Sequence, residues 1–315
     1  MSDNTDNEQS QVPEILGYFG KFEIPEGIQV PLNDTDCYNL YPVLKEWHDK
    51  TKVADYSKLA WGYAGTLPES YPVILRPIVN LHGMAMETHL IKNEKELKEN
   101  YRPGSAWFQH VDGPHYNFDV IMESGHAKHF LTAEGFPCEH FRFKYWHVNL
   151  QNNNDFDLKF LNHRRAVLKF IEDNKLSNFT GIINFKMIGA TIIDVSFRLK
   201  KQFASLYEDK LIKAIISLYE EGVWKKPAFQ SFSAPEGYSI PLWVDSYKKF
   251  EVDYEKIEDI KKGRAGLIEL HIDYDPSKKK YEYSNPLKSF RIGYINTRDL
   301  TQGFELAKDI KECFV

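Results

Sequence analysis

A chain of 315 residues that is 42% hydrophobic and 14% aromatic carries enough apolar material for a large core, which sets aside a disordered scaffold and favours aromatic-lined clefts. Its 40 basic and 45 acidic side chains, a net charge of −5, are mixed along the chain without the basic stripe that a phosphate backbone demands, so nucleic acid is not an expected partner. No run of about 18 apolar residues occurs, and the polar start MSDNTDNEQSQ lacks the form of a secretion signal, so a soluble cytoplasmic protein with no membrane partner is expected.

Residues 1–12 have no hydrophobic period and are expected to form a flexible tail, followed by an N-terminal region over 13–70. Tyr71–Pro77 (YPVILRP) is a short apolar run bounded by prolines, the form of a buried strand. A glycine-containing loop, a second strand and the helical stretch NEKELKEN follow, with Asn93 as N-cap and Glu96 as its capping-box partner. AWFQHVDGPHYNF reads as strand, turn at Asp112-Gly113, and strand, and DVIMESGHAKHFLTA as another hairpin around Gly125.

Asn152–Asn154 reads as a loop. After it, Leu161, Val167, Leu168 and Ile171 recur at helical spacing and mark an amphipathic helix. GIINFKMIGATIIDVSFR is a second two-strand unit turning at Ile188-Gly189-Ala190, and EDKLIKAIISLYEEG is helical. KKFEVDYEKIEDIKKGR reads as a solvated charged segment, and SFRIGYINT with LTQGFELAKDIKECF closes the chain as strand and helix. The order predicts an α+β fold on antiparallel sheets, and the glycine fingerprint of a Rossmann domain is absent.

Several residues invite chemistry on their own. Asp194, Ser196 and Arg198 alternate, so on a strand they share one face, as ligand groups or as a structural Asp194–Arg198 ion pair. His126, His129, Cys138, His140 and His147 match no tight zinc spacing, and on a strand His126 and His129 face opposite sides. Cys138 with His140 or His147 lacks the orienting context of a nucleophilic pair, and Cys37, Cys138 and Cys313 are read as free thiols of a reducing compartment. Phe141, Phe143 and Tyr145 alternate and read first as a strand's buried face, with cleft lining as the second reading.

Over roughly residues 56–315 these segments together resemble the ATP-grasp superfamily of carboxylate–amine ligases and biotin-carboxylase-like enzymes. YPVILRPIVNLHGMAMETHLIKNEKELKE is similar to the family's strand, phosphate loop, strand and helix. The resemblance puts Arg76 where a lysine meets the nucleotide phosphates and keeps Gly83 from the glycine-rich loop. AWFQHVDGPHYNFDV resembles the hinge, which places Gln109, His110 and Val111 at adenine and His115 where a glutamate would hold ribose. GIINFKMIGATIIDVSFR resembles the metal hairpin, implying Mg²⁺ on Asp194 with Asn184 and Ser196 as neutral ligands, and Arg198 as the catalytic group facing the reacting phosphoryl. Lys58 is the implied second phosphate contact.

The implied layout is a lid subdomain at 71–112, a large subdomain with the metal hairpin at 113–235, and a C-terminal subdomain at 236–315 that completes the sheet around a nucleotide cleft. The implied activity is ATP- and Mg²⁺-dependent ligation of an unidentified carboxylic acid to an amine or thiol through an acyl phosphate, with a homodimer left open. The alternative is an inactive pseudoenzyme that serves as a binding or structural module. It is motivated by arginine for lysine at 76, the thinned glycine loop and the loss of one metal carboxylate.

Overall fold

Strands that alternate in burial, such as Phe143–Asn149, and strands buried on both faces, such as His115–Glu123, assemble here into two antiparallel sheets. The computed structural model describes residues 17–63, 65–81, 83, 85, 87–139, 141–149, 160–176, 178–207, 209–227, 236–244, 251–262, 264, 266–274 and 290–314. The smaller sheet holds β1 (Trp61–Gly62), β2 (Val73–Pro77), β3 (His89–Ile91) and β4 (Ser105–Gln109) in the order β1-β4-β2-β3. It reaches back to residue 61, ahead of the boundary expected at 71, because Trp61 and Gly62 pair with Phe108 and Trp107.

The larger sheet holds β5 (His115–Glu123), β6 (His126–Pro137), β7 (Phe143–Asn149), β8 (Gly181–Ile188), β9 (Thr191–Ser196), β10 (Glu236–Val244), β11 (Leu267–Ile272) and β12 (Phe290–Thr297). Its order is β11-β12-β10-β7-β6-β5-β8-β9, so the C-terminal strands extend the sheet that the middle of the chain begins.

Seven α-helices flank these sheets among the described residues: α1 (Asp34–Leu40), α2 (Lys50–Tyr56), α3 (Glu94–Asn100), α4 (Leu161–Asp173), α5 (Asp209–Glu221), α6 (Tyr254–Lys261) and α7 (Leu300–Lys311). None is long and apolar enough to cross a membrane. α3 starts where expected: Asn93 Oδ1 accepts the Glu96 amide at 2.9 Å, while Glu96 Oε2 accepts the amide of Lys92 at 2.9 Å. Its Leu97 packs on Val73, Leu75, Ile91 and Trp107 of the small sheet.

One face of β5, β8 and β9 presents Phe118, Val120, Ile183, Phe185 and Val195 to Val167, Phe170 and Ile171 of α4. The opposite face is apolar only towards one end, where Ile121 and Ile182 meet Leu211, Ile212, Ile215 and Leu218 of α5. Towards the other end that face is polar, carrying Asn117, Asp119, Asn184, Lys186 and Asp194. A third cluster seals α6 and α7 on β10 and β12 through Ile257, Leu306, Ile310, Ile240 and Ile292.

Several local expectations change. Asp112-Gly113 does not close a hairpin: β4 pairs with β1 and β2, and β5 with β6 and β8, so the turn carries the chain from one sheet to the other. Leu168 is 45% exposed, because the buried stripe of α4 runs through His163, Val167, Phe170 and Ile171. On β7 the buried residues are Trp146 and Val148, with Phe143 and Tyr145 only partly covered. The charged stretch around 254–261 is the helix α6, held by buried Ile257. Residues 1–12, Asn152–Asn154 and His140 lie outside the described residues. Cys37 and Cys313 are buried and Cys138 exposed, all three free.

Candidate functional site

A cavity of about 710 Å³ lies between the two sheets, walled by Arg76 and Phe108 from the small sheet, His115, Lys186 and Arg291 from the large one, and His110 and Val111 from the connection. Its electrostatics are lopsided. Asp194 is the one carboxylate among its described lining residues, against Lys50, Arg76, Lys92, Arg142, Lys186, Lys200 and Arg291.

Lys50 reaches the cavity because α2 begins there. Asp49 caps the helix by accepting the Thr51 amide at 2.8 Å, and the Lys50 amide donates to Ile78 O at 2.8 Å, tying the helix start to the end of β2. Lys50, Val53 and Ala54 share one buried helix face. Lys50 Nζ bonds Asp194 Oδ1, and Lys186 Nζ donates to Asp194 Oδ2 at 2.5 Å. Burial works to raise the Asp194 pKa, but Lys186, Lys50 and Arg76 outweigh it and hold the carboxyl well below the usual range.

Arg76 donates from Nη2 to Ile193 O at 3.1 Å and lies over the Phe108 ring at 4.6 Å, and its buried Nε has no partner. Arg291 bonds Asp273 at 2.6 Å and Gln202 at 3.1 Å, again with Nε unbonded. The Lys200 ammonium sits over Trp146 at 5.3 Å and Phe203 at 5.8 Å. Burial, reinforced by Lys186, Arg198 and Arg291, pulls its pKa down to about 7.

Behind this lining lies a second polar row on the same sheet face. Asp119, Asn184 and Ser196 stand opposite one another across β5, β8 and β9, as Asn117, Lys186 and Asp194 do one step along. Asn184 Nδ2 donates to Asp119 Oδ1 at 2.6 Å and to Asn117 Oδ1 at 2.9 Å, while Asn184 Oδ1 has no partner. Burial raises the Asp119 pKa to about 6 against the opposing pull of Asn184 and Arg198. Arg198 is engaged elsewhere: Nε donates to Asp34 Oδ1 at 2.7 Å and Nη2 to Oδ2 at 3.2 Å. The ion pair considered between Arg198 and Asp194 is therefore two separate pairs.

Of the residues singled out from the sequence, Arg76, Gly83, Gln109, His110, Val111, His115 and Asp194 meet at this one cavity. Gly83 keeps the left-handed backbone that glycine permits, φ +70°, but Asn80 Oδ1 accepts its amide at 3.1 Å and Asn80 Nδ2 donates to its carbonyl at 3.1 Å. That amide is occupied. Burial, then His110, lowers the His115 pKa, so the imidazole is neutral near pH 7.

Lys58 is exposed beyond α2 and does not line the cavity; Lys50, eight residues earlier, does. Asn184, Ser196 and Arg198 are buried behind the wall, outside its lining. The Mg²⁺ set expected from the resemblance does not fit this arrangement, because two ammonium groups hold the oxygens of Asp194 and the neutral ligands lie elsewhere. No cluster of three His, Cys, Asp or Glu side chains suited to a metal occurs among the described residues. His129 stacks on Trp224 at 6.2 Å and His147 on Tyr238 at 5.3 Å, so both are packed into aromatic surroundings.

Lys50, Lys186, Lys200, Arg291 and Asp119 escaped the sequence reading. A signal existed for two of them: Lys50 interrupts the apolar stripe of a helix, and Lys186 shares the polar face of an otherwise apolar strand with Asn184.

No protein-family model and no curated protein sequence matches the chain, so the likeness to known proteins is structural. An L-amino acid ligase from Bacillus licheniformis aligns with a TM-score of 0.58 at 14% identity, over 89% of this chain and 76% of that one. N5-carboxyaminoimidazole synthase from Aspergillus clavatus, solved with ADP and 5-aminoimidazole ribonucleotide, aligns with a TM-score of 0.57 at 8% identity, over 86% and 75%. The biotin carboxylase domain dimer of Hydrogenobacter thermophilus 2-oxoglutarate carboxylase, solved with MgADP, ADP and bicarbonate, aligns with a TM-score of 0.51 at 10% identity, over 87% and 67%. All are ATP-grasp enzymes, and this chain has the α+β ATP-grasp fold.

Proposed function

We propose that this ATP-grasp chain binds a nucleoside polyphosphate, ATP first, in the cavity between its sheets. The base lies against residues 109–111, neutral His115 bonds a ribose hydroxyl, and Arg76, Lys50, Lys186 and Lys200 take the phosphate chain. One observation carries the reading: an excess of positive charge faces the cavity, with the buried Nε atoms of Arg76 and Arg291 bonded to nothing described. A buried N–H donor without an acceptor is costly, and phosphate oxygens relieve it through charge-assisted hydrogen bonds. Titration calorimetry with ATP tests this. Arg76→Ala should weaken binding about 10- to 100-fold, from the roughly 1.5–3 kcal/mol of a hydrogen bond to a charged group. No heat at millimolar ATP would end the reading.

A second reading adds catalysis, favoured by Arg291 and Gln202 beside the aromatic wall of Trp146 and Trp243 in the same cavity. A carboxylic acid held there would attack the γ-phosphorus, ADP would leave, and an amine or thiol would then displace phosphate from the acyl phosphate. The L-amino acid ligase among the structural neighbours carries out a ligation by its name. Here Arg291 meets the acid, and Arg198, locked to Asp34, positions the wall instead. Phosphate release that requires both an acid and an acceptor supports the ligase, and tight ATP binding without turnover leaves the binding module.

A further inference from the structure

We infer that the site takes the phosphate chain as a metal-free anion, with Lys50 and Lys186 standing where a divalent cation would supply the counter-charge; this rests on the nucleotide reading above. A hard divalent cation needs carboxylate oxygens with open lone pairs. Asp194 is the only carboxylate among the described lining residues, and Lys50 and Lys186 bond its two oxygens. Its side chain is 11% exposed and that of Lys50 9%. A cation that took these oxygens would leave two ammonium groups without their partner, one of them almost dry, inside a wall that already carries Arg76, Lys200 and Arg291.

The carboxylate in the row behind the wall is no better placed. Asp119 is fully buried behind the wall, its Oδ1 faces the amide nitrogen of Asn184 at 2.6 Å, and neither residue lines the cavity. An incoming polyphosphate meets the opposite situation. The Arg76 Nε is unbonded, Lys200 has no carboxylate within ion-pair distance among the described residues, and Lys186 is 31% exposed in its side chain and turned to the cavity. Asp194 then holds Lys50 and Lys186 and competes with the ligand for their charge.

Titration of the full chain with ATP in excess EDTA and with ATP in saturating Mg²⁺ tests the inference. Binding in EDTA at least as tight as in Mg²⁺ is expected, since Mg²⁺ on the phosphates cancels ligand charge that the site is built to meet. Tighter binding in Mg²⁺ would overturn the inference while leaving the nucleotide reading intact, and binding in neither condition would overturn both. Asp194→Asn supplies an independent arm: freeing Lys50 and Lys186 should tighten ATP in EDTA several-fold, whereas a metal ligand lost at that position would weaken ATP in Mg²⁺. If that variant does not fold, Lys186→Gln keeps the test open by weakening ATP in EDTA at least as much as in Mg²⁺.

Discussion

Asp194 and Asp119 stand on one face of the same sheet, on β9 and β5 with β8 between them, yet they are held in opposite states. Asp194 is clamped by Lys50 and Lys186 and stays ionised far into acid. Asp119 is buried more completely, meets amide nitrogen, and is pushed up to about 6. Both are desolvated, so burial does not separate them. Ammonium groups within bonding distance do, and those groups come from a helix and a strand far apart in the chain.

The largest effect should come from removing the pair that keeps a third charge away from both carboxylates. Asp34→Ala strands buried Arg198 and should cost about 3–5 kcal/mol in urea unfolding. It should also lower the Asp119 pKa, because the freed guanidinium is already among the groups acting on that carboxyl. A loss below about 1 kcal/mol, the scale of an exposed pair, would break the contrast.

Asp194→Asn should cost a similar or slightly smaller amount, and saturating ATP should restore part of it by mass action on the native state. The two carboxylates should also differ in the sign of their pH dependence. Asp194 has a depressed folded pKa, so its stabilisation is present above the unfolded value and is lost as pH falls through the folded one. Asp119 has a folded value of about 6 against an ordinary 3.8, so its contribution is present in acid and is lost as pH rises across that window. Between pH 4 and 7, wild-type stability should therefore fall by about 1–3 kcal/mol relative to Asp119→Asn. A flat difference would show that the carboxyl is not held neutral.

The smallest effect concerns the ligand. Lys200, lowered to about 7, must take up a proton to meet phosphate, so affinity for ATP should be level below pH 7 and fall above it. The fall should approach about tenfold per pH unit. Calorimetry in buffers of different ionisation heat should register the proton uptake at pH 7, and Lys200→Met should abolish it.

How much was readable in advance differs between the sheet and the site. YPVILRP, the Gly125 hairpin, the turn at Gly189 and the capped helix at Asn93 follow from local rules, since each depends on neighbours within a few residues. Gln109, His110 and Val111, on the segment between the sheets, line the cavity together with Arg76 of β2 and His115 of β5. Alternation put Asp194 and Ser196 on one face, but could not say that of the two only Asp194 reaches the cavity or that Lys50 and Lys186 bond it there.

What the sequence alone determined is the element order and the antiparallel α+β class, both encoded in periodicity and turn chemistry. Tertiary structure decided the charge balance of the cavity. Lys50 meets Asp194 across 144 positions and Arg198 meets Asp34 across 164, contacts that no local pattern specifies. The state of a buried carboxylate depends on which distant cation the fold brings within bonding distance, since in a dry interior a charged partner that close outweighs burial itself.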